Sequence, residues 1–85
     1  MNSDALVYWL ATSEEEIHFI DAIISAYDGM AAVRRDFRMI NGQAMYKVYV
    51  SEGMEDEFLE VIERLRETST INALLRDDDP ALASG

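Results

Sequence analysis

Few side chains in this sequence are equipped for catalysis. His18 is the only histidine and there is no cysteine. Thiolate nucleophiles, thiolate metal sites and disulfides are therefore excluded together. A lone imidazole with no serine or acid at a defined spacing makes no nucleophile–base pair. On a helix, His18 projects roughly opposite Ile24 and reads as an exposed surface residue. Two acidic runs have the charge to chelate a hard cation, Glu14-Glu15-Glu16 and Asp77-Asp78-Asp79. The first follows Ser13 at the start of an apolar-periodic stretch, where an ordinary dipole-matched helical turn accounts for it. The second stands beside Pro80 and small residues, where an acidic tail serves solubility. The sequence thus offers no catalytic residue, no metal-ligand set and no cofactor site, and it reads as a non-enzyme.

What remains is basic and aromatic. The chain carries a net charge of −10, yet four of its seven basic residues, Arg34, Arg35, Arg38 and Lys47, fall between Met30 and Val50. Only Asp36 opposes them there. With Trp9 and Tyr49 nearby, such a surface suits a small anionic ligand, a nucleotide or single-stranded nucleic acid. The overall acidity argues against nucleic acid, because neutralising phosphates needs a basic field.

The elements that position these residues follow from patterning. Asn41-Gly42 is the strongest short hairpin signal available, since a type I′ turn needs positive φ at both central residues. A two-residue loop there places Ile40 opposite Gln43, Met39 opposite Ala44, Phe37 opposite Tyr46, Arg35 opposite Val48 and Val33 opposite Val50. One face then carries Val33, Phe37, Met39, Ala44, Tyr46, Val48 and Val50, with Arg35 as its single misfit. The other face pairs Arg38 with Met45, Asp36 with Lys47 and Arg34 with Tyr49.

Ahead of the hairpin, Ala5 to Thr12 reads as a central strand, apolar on both parities. Ser13 and Glu16 have capping-box spacing. Ile17, Ile20, Ile24 and Tyr27 then repeat at helical spacing, and Gly29 is placed to end that helix. After Val50, a helix over Met54 to Glu67 presents Phe58, Val61, Ile62 and Leu65 as its apolar stripe. Thr70 to Leu75 reads as a last strand with Ile71, Ala73 and Leu75 on one face. The order β-α-β-β-α-β predicts an α+β, ferredoxin-like fold: a four-stranded antiparallel sheet in the order 4-1-3-2, with two helices on one face. Residues 1–76 form one domain and residues 77–85 a disordered acidic tail. The apolar run Ala5 to Ala11 lacks a basic flank and is too short to span a bilayer, so a soluble cytoplasmic protein is expected.

Over Ala5 to Leu75 this layout resembles small stand-alone ACT-like domains of the ferredoxin-like fold. Ala26-Tyr27-Asp28-Gly29 closes the first helix, and a strand, the Asn-Gly hairpin, a strand and an acidic helix follow. That stretch looks most like an uncharacterised bacterial family of such domains, and the resemblance implies no known activity. Amino-acid-binding ACT domains carry a glycine-containing turn after the first strand, where this chain has Thr12-Ser13-Glu14. Acylphosphatases need an arginine in the same turn, and heavy-metal-binding relatives need Cys-x-x-Cys. Neither is present.

With both helices on one face, the other face must meet water, a partner or a ligand. The pairing puts Arg34, Asp36, Arg38, Met45, Lys47 and Tyr49 there, and the first strand adds either Val7, Trp9 and Ala11 or Leu6, Tyr8 and Leu10. A patch containing Val7, Trp9, Met45 and Tyr49 is unusual on a monomer, although the aliphatic stems of Arg34, Arg38 and Lys47 can shield it. The expected function is a non-enzymatic interaction or regulatory module that self-associates through its sheet, with a homodimer as its assembly. The alternative is a small-ligand sensor with its site at the dimer interface. A nucleic-acid binder comes third.

Overall fold

The computed structural model describes residues 6–78. Its elements run β1 (Leu6–Ala11), α1 (Glu14–Ser25), β2 (Ala31–Ile40), β3 (Gln43–Val50), α2 (Glu55–Thr68) and β4 (Ala73–Arg76). Every strand pair is antiparallel and the order is β2-β3-β1-β4. This is the ferredoxin-like α+β arrangement, with β1 and β3 in the middle of the sheet. Residues 1–5 and the stretch 79–85 of the expected tail lie outside the described residues. Among the described residues no helix is long and apolar enough to cross a membrane.

Local chemistry sets the helix ends. Ser13 caps α1 by accepting the Glu16 N–H at 3.1 Å. The return half of the capping box is not made. Glu16 Oε1 instead accepts the backbone N–H of Thr70 at 3.2 Å, tying the start of α1 to the segment before β4. The helix stops at Ser25, short of Gly29, because Ala26 and Tyr27 bond back to Ile23 and Ile24 and tighten the last turn. Tyr27, expected on the apolar stripe, is therefore exposed, and Gly29 takes φ +72° in the turn beyond. Ile17, Ile20 and Ile24 are buried, as are Phe58, Val61, Ile62 and Leu65 of α2.

The hairpin loop has φ +54° at Asn41 and +79° at Gly42, as a type I′ turn requires. Near the loop the expected pairs form: Ile40–Gln43, Met39–Ala44, Arg38–Met45 and Phe37–Tyr46. Further along, the register changes. Val33 pairs with Val48, Ala32 with Tyr49 and Ala31 with Val50. The expected pairs Val33–Val50, Arg35–Val48, Arg34–Tyr49 and Asp36–Lys47 give way to a bulge. Arg34, Arg35 and Asp36 together span the place opposite Lys47. Two extra residues shift the pairing but keep inside residues inside, since side chains alternate with period 2. The bulge also gives Arg35 its partners. Its Nε donates to Asp21 Oδ2 of α1 at 2.9 Å, and its guanidinium donates to His18 Nδ1 at 2.6 Å.

The parity of β1 divides the core in two. Tyr8 and Leu10 join both helices, Tyr46, Val48 and Val50 in the larger cluster. Trp9, Ala11 and Met45 form a smaller one on the helix-free face, flanked by Val7, Ile40, Ala73 and Leu75. Ile71 does not share a face with Ala73 and Leu75. It precedes β4 and packs into the larger cluster with Leu74.

Tyr8 links three elements. Its hydroxyl donates to Glu55 at the start of α2, and Glu55 also pairs with Arg76 of β4 at 3.2 Å. Burial, then the bond to Glu55 and its negative charge, push the Tyr8 phenol from 10.0 up to about 12. The folded chain thus holds this proton more tightly than the unfolded chain does. The associated stability is full below the unfolded value and is lost as pH rises from 10.0 towards about 12. Ultraviolet titration of the wild type should contain a late-ionising phenol that Tyr8→Phe removes. A titration curve whose late part is unchanged in Tyr8→Phe would show that the Glu55 contact is not held in solution.

Candidate interaction surface

Each strand exposes a different chemistry on the helix-free face. Of the interface candidates Val7, Trp9, Arg34, Arg38, Met45, Lys47 and Tyr49, Trp9 is 3% exposed and Met45 1%, both covered by their own chain. Val7, Lys47 and Tyr49 are half-buried, and Arg34 and Arg38 are exposed. Trp9, Arg34, Arg38, Lys47 and Tyr49 meet around one shallow cleft of about 140 Å³, together with Asp36.

Trp9 is closed over from several sides. The Arg38 guanidinium lies 5.2 Å from its ring centre and the Lys47 ammonium 5.3 Å, both within cation–π range. Lys47 also lies 5.5 Å from the Tyr49 ring. The indole N–H donates to Asp77 Oδ1 at 2.8 Å. Asp77 is held in turn by its backbone N–H, which donates to the Val7 carbonyl at 2.9 Å, and Arg76 reaches Asp78 at 3.5 Å. Asp77 and Asp78, read from sequence as the start of a disordered tail, are thus part of the folded unit. The reason is that a buried indole N–H needs an acceptor, and Asp77 is the residue that β4 delivers to it.

The charge accounting singles out two residues. Arg34 lies 3.8 Å from Asp36, Arg35 2.8 Å from Asp21, Arg64 3.8 Å from Glu60, Arg66 3.3 Å from Glu63, and Arg76 pairs with Glu55. Among the described residues Arg38 and Lys47 have no acidic partner. Apolar exposure lies elsewhere. Phe37 is 54% exposed and Met39 64%, both on β2, an outer strand of the sheet, and Phe19 of α1 and Tyr27 after it are exposed to a lesser degree. The sequence placed Phe37 and Met39 on the helix side, and they are there, since Phe37 packs edge-on against Tyr46 at 5.9 Å. Met39 pairs with Ala44, one position past the last pair of β1 and β3 at Ala11–Met45, whereas Phe37 pairs with Tyr46, level with Leu10.

A cavity of about 300 Å³ lies between the start of α1 and the strands β2 and β3. Ile17, Phe37 and Tyr46 give it apolar walls, and Thr12, His18 and Arg35 are its polar groups. Sequence reasoning missed it, because alternation puts Arg35 on the helix side but does not show that it bonds to Asp21 and His18 of α1. Among the described residues no group of three or more acidic or histidine side chains is arranged to hold a metal ion.

The cover on Trp9 is directly testable. Asp77→Ala leaves a buried indole N–H without its acceptor, which should cost about 1–3 kcal/mol. The denaturation midpoint should fall and the tryptophan emission should shift, while Asp78→Ala should change both far less. An Asp77→Ala protein as stable as the wild type would mean that the indole finds another partner. No protein-family model, curated protein or solved structure matches the chain, so the functional reading is carried by this surface chemistry alone.

Proposed function

We propose that this chain is a non-enzymatic interaction or regulatory module that self-associates through its sheet. The observation that carries the reading is the pair Phe37 and Met39, large apolar side chains exposed on an outer strand. An outer strand has unpaired backbone groups along one side, and uncovered apolar side chains make it a template for another strand. The helix-free face is the weaker candidate for the contact. Its aromatic centre, Trp9, is already covered, and what it turns outward is charged. The resemblance to ACT-like domains fits a module of this kind.

The cavity beside the same edge favours a second reading, a small-ligand sensor. Its volume is at the lower end of the range for small-molecule sites. A mixture of the twenty amino acids at millimolar concentration would then raise the thermal midpoint, and an unchanged midpoint would remove amino acids as the ligand.

Sedimentation equilibrium tests the main proposal. The wild type should increase in mass with concentration across the micromolar range. Met39→Lys should abolish that increase without unfolding the chain, whereas Tyr49→Glu should leave it. A wild type that stays monomeric at high micromolar concentration overturns the proposal. A folded Tyr49→Glu monomer beside an associating Met39→Lys would move the contact to the helix-free face.

A further inference from the structure

Resting on that self-association, the pattern of β2 specifies how a second copy would dock. In a two-residue hairpin the residues flanking the loop, here Ile40 and Gln43, exchange backbone hydrogen bonds. Alternation then turns the N–H and C=O groups of Met39 and Phe37 away from β3, towards the free edge of the sheet. Two copies related by a two-fold axis perpendicular to the sheet would join antiparallel, with their helices on the same side. Directly opposed residues lie on the same face, so the axis must pass through a residue of β2.

Charge selects which residue. An axis through Arg38 sets that side chain against its own copy, with like charges face to face. An axis through Met39 sets Arg38 against Ile40 and leaves Asp36 beyond the loop. An axis through Phe37 sets Asp36 opposite the partner's Arg38, and by symmetry Arg38 opposite the partner's Asp36. Among the described residues Arg38 is one of the two Arg or Lys side chains outside any ion pair, its guanidinium resting 5.2 Å from the Trp9 ring centre. The Asp36 side chain is 82% exposed, with Arg34 no nearer than 3.8 Å. On the helix side, the same register stacks Phe37 on the partner's Phe37. It lays Met39 along the aliphatic stem of the partner's Arg35, whose guanidinium is drawn back onto Asp21 and His18. The bulge at Arg34 to Asp36 confines the pairing to the few residues around the axis.

We propose that a second copy of this chain docks on the free edge of β2 in the antiparallel register centred on Phe37, so that the two sheets become one.

Charge exchange tests the register. Asp36→Arg opposes positive charges on both sides of the axis, four in the dimer, and Arg38→Asp opposes four negative ones. Each variant alone should associate at least roughly tenfold more weakly than the wild type, and an equimolar mixture should recover the wild-type dimer. Because Arg38 also covers Trp9, a second measurement leaves that residue intact. The chain has no cysteine, and the hydrogen-bonded pair at the axis brings its two Cα atoms to about 5.5 Å, within disulfide reach. Phe37→Cys should therefore oxidise rapidly to a covalent dimer and Ile40→Cys should not. Association that is unchanged in both charge variants, a mixture that does not recover, or equal oxidation at the two cysteine positions would overturn the register while leaving self-association standing. A wild type monomeric at high micromolar concentration would remove both.

Discussion

Both helices lie on one side of the sheet, so the other side must be closed by the sheet's own side chains. Trp9 is where this constraint bears hardest. It stands on a central strand with no layer above it, yet it is 3% exposed. Three contacts achieve this: the guanidinium of Arg38, the ammonium of Lys47 and the carboxylate of Asp77. They come from β2, β3 and the turn after β4, so Trp9 is covered only when all four strands are in register. The large apolar area of the indole is buried while its one polar atom is satisfied, which is the condition for burying tryptophan at low cost. A face completed in this way turns charge rather than aromatic surface to the solvent.

Electrostatics elsewhere follow a similar division. Acids crowd the first turns of α1 and α2, where the helix dipole favours them, and Arg38 and Lys47, which have no ion pair among the described residues, lie on the sheet. Most of the surface ion pairs are long and exposed, and contribute little to stability. Two polar links have structural consequences. Arg35 fastens the bulge of β2 to α1 through Asp21 and His18. Tyr8, Glu55 and Arg76 join β1, α2 and β4. Together they fix the two helices to opposite ends of the strand order, and Phe37 and Met39 of the outer strand β2 stay exposed.

Much of this was legible in the sequence. The order of elements, the Asn41-Gly42 turn and the stripe Phe58, Val61, Ile62 and Leu65 each rest on a local rule with one strong solution. The bulge was hidden for a physical reason. Adding two residues to a strand preserves the alternation of faces, so the pattern looks regular on either side of it. Arg35 was the only trace, as a charge among apolar neighbours. The parity of β1 stayed open because both of its faces are buried and both are apolar. Asp77 was concealed by its company, since a run of acids reads as tail unless the need of Trp9 for an acceptor is considered. The structure gathers Trp9, Arg34, Arg38, Lys47 and Tyr49 around one cleft, but the degree of cover on Trp9 depends on three-dimensional packing that spacing does not report.

The claim on which the account turns is that the edge of β2, rather than the helix-free face, receives a second copy. Amide hydrogen exchange, followed residue by residue at low and high protein concentration, reads this most directly. The account predicts that the amides of Phe37 and Met39 exchange quickly in dilute protein and become protected as concentration rises, while amides already paired within the sheet do not change. Exchange at Phe37 and Met39 that is the same at every concentration, in a protein whose mass nonetheless increases, would contradict it.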